Sequence, residues 1–138
     1  MCGYSSHFCI SNGDFRNLDY TSFKFLNRVA SVSISQFIEE KSRQLCFYLC
    51  AFWQGTLNYQ ELNYFFWDTL EEWSLYRSDD LEPSTHKERV FWHLLHQIHY
   101  WREDQLNDDE ILREELTHCV AYLKGESVFP MDCIGIRP

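Results

Sequence analysis

Four times along the chain, a side chain able to cap a helix is followed three residues later by Glu or Gln. Each pair then gives way to apolar residues recurring every three or four positions. The pairs are Ser33 with Gln36, Asn58 with Glu61, Thr85 with Glu88 and Asn107 with Glu110. In such a box the cap oxygen accepts one orphan N–H of the first turn, and the Glu or Gln side chain accepts another, so the pattern marks where a helix begins. The stripes behind the caps predict four helices. The first runs over about Ile34–Gln54 with Ile34, Ile38, Leu45, Leu49 and Phe52 inward, and Gly55 as its stop. The second runs over about Tyr59–Tyr76 with Leu62, Phe65, Phe66, Leu70, Trp73 and Tyr76 inward, and Leu57 with Leu62 as a hydrophobic staple. The third begins near Pro83 or Thr85 and runs to about Trp101 with Phe91, Leu94, Leu95, Ile98 and Trp101 inward. The fourth runs over about Asp108–Lys124 with Leu112, Leu116, Cys119, Val120 and Leu123 inward, Leu106 with Ile111 as its staple and Gly125 as its stop.

The connections 55–58, 77–84 and 102–107 are short, which makes successive helices antiparallel neighbours. The expected fold is therefore all-α, an antiparallel four-helix bundle in a single domain over 1–138. It has an extra N-terminal segment over 1–33, the bundle over 34–124 and an irregular tail over 125–138. Phe129, Met131, Cys133, Ile134 and Ile136 are too apolar for a free tail, so it is expected to fold back on the helices. Within the N-terminal segment, Asp19–Ala30 fits a short helix, and Ala30–Ser35 alternates apolar residues with Ser in a strand-like way.

The chain is 45% hydrophobic and 24% charged, proportions that exclude disorder of the whole. Its net charge of −9 is placed unevenly: residues 61–138 hold 17 acids against seven bases. Such a field repels phosphates, so no nucleic-acid partner is expected. The longest uncharged apolar run, Leu45–Trp53, is too short to cross a bilayer, and the first residues lack a basic stretch followed by an apolar one. The expectation is a cytoplasmic protein with no membrane partner. Six cysteines without an export signal read as small apolar core residues rather than a disulfide framework.

Phe, Trp and Tyr make up 17% of the chain, and several fall off the predicted stripes. At 100° per residue, Tyr64 and Trp67 point away from the core face of the second helix, and Trp92 and Tyr100 away from that of the third. Large aromatics anchor interfaces because each buries much area with few rotors. These four are therefore the candidate interface, facing either a protein partner or a second copy in a homodimer.

His93, His96 and His99 are spaced three apart on the third helix, where neighbours at this spacing can share a metal ion. With Cys46 and Cys50, four apart on the first, they are the candidate ligands of an alternative metal-binding or metalloenzyme reading. Met1-Cys2-Gly3 resembles the start of the class II glutamine amidotransferases and of the abasic-site-crosslinking family. In such proteins, removal of Met exposes a Cys whose own amine serves as base. The resemblance covers three residues, and both families have larger, β-rich folds. Gly-rich phosphate loops, a Gly-x-Ser-x-Gly elbow and Cys-x-x-Cys are all missing from the sequence. No cofactor or catalytic residue is expected. The sequence points to a small acidic non-catalytic protein that acts by protein–protein interaction, as an inhibitor, immunity-type or regulatory protein.

Overall fold

The computed structural model describes residues 33–76 and 82–138. The expected helix over 19–30 and Cys2 lie outside them. By its internal contacts the chain divides into two compact units, Met1–Phe37 and Ile38–Pro138. In the first, the Ser33 box forms as expected. Ser33 Oγ accepts from the Gln36 N–H at 3.1 Å, and Gln36 Oε1 accepts from the Ser33 N–H at 3.2 Å. Ile34 and Ser35, the end of the strand-like alternation, are already helical.

The described residues are all-α and form five helices: α1 (Ile34–Trp53), α2 (Tyr59–Ser74), α3 (His86–Tyr100), α4 (Glu103–Asp108) and α5 (Glu110–Leu123). Asn58 caps α2 and Thr85 caps α3, each accepting from the N–H three residues on. Gly55 and Gly125 both sit at φ +79°, the left-handed conformation that glycine enters without a Cβ penalty. There the next N–H reaches back five residues, Thr56 to Ala51 and Glu126 to Ala121, closing α1 and α5.

The fourth predicted helix starts two residues later than expected, at Glu110. Its cap is Asp109, which accepts from the Leu112 N–H at 3.0 Å, and the preceding segment forms the short helix α4 instead of a loop. Two side chains take the carbonyls at the break, one from α1 and one from the second turn of α5. Trp53 Nε1 donates to the Leu106 carbonyl at 3.0 Å, and Arg113 Nη1 donates to the Asn107 carbonyl at 3.0 Å. Those carbonyls would otherwise accept from Glu110 and Ile111, so the ladder stops and restarts. The expected Leu106–Ile111 staple does not form: Leu106 is buried and Ile111 is exposed.

The central helix of the second unit is α3, which packs on both α2 and α5. Val90, Phe91, Trp92, Leu94, Leu95 and Ile98 are all buried, covering most of its circumference. Lys41 of α1 pairs with Glu72 of α2 at 2.7 Å, and Tyr48 of α1 meets Phe65 of α2 edge-on at 4.8 Å. Cys46 Sγ faces the Val120 carbonyl of α5 at 3.9 Å, so α1 also touches α5.

The tail returns to the helices as expected, but through other residues than its most apolar ones. Met131, Ile134 and Ile136 are exposed, whereas Pro130 and Cys133 are buried. Arg137 grips the buried Glu88 of α3 with both arms, Nε to Oε1 at 2.5 Å and Nη2 to Oε2 at 2.9 Å. Gly135 lies so close to α3 that a Cβ there would sit 1.9 Å from the Arg89 carbonyl oxygen and 2.7 Å from the His93 nitrogen. Only glycine fits that approach, and it lays the tail along the middle of α3.

Candidate interaction surface and thiol–imidazole cluster

The burial of α3 on so wide an arc decides one of the four interface candidates. Trp92 is fully buried and does not present a surface, contrary to expectation. Its ring meets Trp73 edge-on at 5.1 Å, and its Nε1 donates to Glu88 Oε1 at 3.2 Å. Helical angle alone misplaced it because α3 has neighbours on more than one side.

The other three candidates reach solvent: Tyr64 is 46% exposed, Trp67 57% and Tyr100 74%. The Trp67 indole stands on a fixed base. His99 stacks flat on Phe66 with centroids 4.1 Å apart, and Trp67 meets Phe66 at 5.1 Å and His99 at 5.3 Å, edge-on to both. Tyr100 follows His99 in sequence and meets Trp101 edge-on at 4.9 Å. Trp101 is held in turn, its Nε1 donating to Gln97 Oε1 at 2.7 Å and its carbonyl accepting from the Tyr59 hydroxyl at 3.0 Å. The contact between Trp67 and His99 brings the last turn of α3 beside the exposed indole of α2. Glu71 is exposed one turn after Trp67, and Glu103 is exposed just after Tyr100, while Asp104 beside it pairs with Arg102 through both carboxylate oxygens.

The candidate metal ligands separate. His99 is engaged with Phe66, and His96 places Nδ1 2.7 Å from the Trp92 carbonyl oxygen. Cys46 is buried, and loss of water pushes its thiol up to about 12. Cys50 is its half-buried neighbour one turn on. None of these four belongs to a ligand group among the described residues.

His93 does, with partners the sequence did not suggest. The ligand atoms of His93, Cys119 and Cys133 all lie within 4.8 Å of one another. They come from α3, α5 and the tail, and both cysteines are buried while His93 is half-buried. The two sulfurs are 3.4 Å apart. The hydrogen bond between them pushes the Cys119 thiol up and draws Cys133 down, and either sulfur can act as its donor. Burial pushes the His93 imidazole below its ordinary value and so favours the neutral ring, outweighing the opposite pull of Glu115. Sequence reasoning missed this group because Cys119 fits the α5 stripe as a core residue, and the tail bearing Cys133 has no period to read.

No protein-family model matches the chain, no curated protein matches it and no solved structure matches it. No described helix is long and apolar enough to cross a membrane.

Proposed function

We propose that this is a small acidic, non-catalytic cytoplasmic protein of the inhibitor, immunity or regulatory kind, and that it docks another protein around Trp67 and Tyr100. One observation carries the reading: the Trp67 indole is more than half exposed yet braced on the Phe66–His99 stack. An aromatic ring held in place before binding loses little rotamer freedom when a partner covers it, which is the character of an interface anchor.

Exposed carboxylates near Trp67 and Tyr100 in the chain select the partner's chemistry. An apolar pocket rimmed by Lys and Arg complements Trp67 with the exposed Glu71 one turn on and Glu103 just after Tyr100, and opposite charge also speeds encounter. The same charges disfavour nucleic acid and a second copy of this chain. The homodimer expected from four surface aromatics loses ground with Trp92 in the core, because the apolar area that would offset repulsion between two acidic copies is smaller.

Affinity capture on the intact chain tests the proposal by comparing wild type with Trp67→Ala and Tyr100→Ala. The expected result is a protein retained by wild type, lost by both variants and released progressively as salt rises. An identical set of captured proteins in all three would refute it.

A further inference from the structure

We propose that His93, Cys119 and Cys133 form a transition-metal site of the zinc class, which clasps the tail to α3 and α5. The site is independent of the Trp67 surface and of the interaction reading attached to it.

The geometry is close to what an ion requires. Zinc–sulfur bonds of about 2.3 Å and zinc–nitrogen bonds of about 2.0–2.1 Å in a tetrahedron put ligand atoms roughly 3.5–3.8 Å apart. Here the sulfurs are 3.4 Å apart and the three ligand atoms fall within 4.8 Å of one another, so changes of at most about 1.3 Å in their separations close the site. Both cysteines are free thiols in this structure, with no disulfide between them. A thiol–thiol hydrogen bond would account for the two cysteines but not for an imidazole converging on them from a third segment.

The donor set selects the ion. Two thiolates and a neutral imidazole are soft to borderline ligands, suited to Zn²⁺ and unsuited to Mg²⁺ or Ca²⁺. Charge balance favours the same choice, since a divalent cation with two thiolates is neutral overall and can lie where both cysteines are buried. On binding, two S–H bonds break, two metal–sulfur bonds form, His93 adds its nitrogen lone pair, and two protons leave to solvent. Three protein ligands leave a fourth position for water. His93 also lines a surface pocket between α3 and the tail, with His96, Gln97 and Arg137, which gives an ion a route in.

The remainder of the tail supports the site from outside. Gly135 against the α3 backbone and Arg137 on Glu88 fix the chain two and four residues beyond Cys133. The site is therefore largely formed before the ion arrives, which lowers the ordering cost of binding.

Cobalt(II) serves as the spectroscopic probe on the full reduced chain. The expected result is a stoichiometric tetrahedral cobalt spectrum with thiolate-to-metal charge transfer, abolished by one equivalent of zinc. Cys133→Ser should halve the charge-transfer intensity. His93→Gln should weaken zinc binding by more than the roughly 10–100-fold that loss of an outer-shell partner costs. Cys46→Ser should change neither quantity. Because Cys119→Ser perturbs the core, alkylation provides a second readout on the unmutated chain: zinc should protect Cys119 and Cys133 together and leave Cys50 reactive. Cobalt binding without thiolate charge transfer would overturn the assignment. So would charge transfer lost in Cys46→Ser and kept in Cys133→Ser, or alkylation of Cys133 at the same rate with and without zinc.

Discussion

Replacing Arg137 by Met removes the one cation that meets Glu88 among the described residues, leaving a buried α3 carboxylate with the Trp92 indole N–H as its remaining described side-chain donor. The pair is well screened from water, its side chains being 18% and 3% exposed. Stranding one member of a buried pair costs roughly 3–5 kcal/mol, because the other charge stays desolvated without compensation. The tail can limit that cost by lifting away and admitting water, so a loss of about 3 kcal/mol is expected for Arg137→Met. Adding Glu88→Gln removes the stranded charge and keeps an acceptor for Trp92. The double variant should therefore be more stable than Arg137→Met alone, with a coupling of at least about 1 kcal/mol between the two sites. Urea unfolding followed by circular dichroism at neutral pH measures all four corners of the cycle. An Arg137→Met loss below about 1 kcal/mol with additive single effects would refute the docking of the tail on α3.

Leu94, fully buried at the centre of α3, should cost about 2–5 kcal/mol as Leu94→Ala in the same assay. Gly135→Ala places a methyl group against backbone atoms of Arg89 and His93 that cannot step aside. It should cost about 1–3 kcal/mol and raise the alkylation rate of Cys133 as the tail shifts. With its thiol at about 12, Cys46 should react with an alkylating agent near pH 8 about a thousandfold more slowly than a thiol at 9.0, and catch up only on unfolding. The sign of the linked stability change follows. The unfolded thiol ionises above about pH 9 while the folded one stays protonated, so stability should fall as pH rises from there toward 12. A pH series of urea midpoints that is flat in wild type and in Cys46→Ala alike would contradict this.

Three of the four caps were legible because capping is a local matter, settled among residues three apart at Ser33, Asn58 and Thr85, although only Ser33 and Gln36 close the reciprocal box. The fourth failed for a non-local reason: Trp53, more than fifty residues upstream, takes the carbonyl that would have continued α4. Most of the core stripes were legible, but Leu70 is only half-buried while Thr69 beside it is fully buried. Trp92 was misjudged because α3 has neighbours on several sides, and no angle read from the sequence counts neighbours. Trp67 and Tyr100 stand where the angle puts them, at the surface. The thiol–imidazole group was only one-third legible. His93 was visible by its spacing to His96 and His99, but Cys133 reaches it through an aperiodic tail steered by Gly135 and Arg137. Glu88 reads in the sequence as the third residue of a cap box, and only the fold shows it buried and held by Arg137.

The functional account turns on Trp67 facing another protein, and a photo-crosslinking residue at that position tests it most directly. Irradiated in extract of the native host, the substituted chain should give one discrete adduct whose mass differs from twice 16.7 kDa. The same residue placed at Glu114, exposed on α5, should give none. No adduct from position 67, equal labelling from both positions, or an adduct at twice the chain mass would contradict the account.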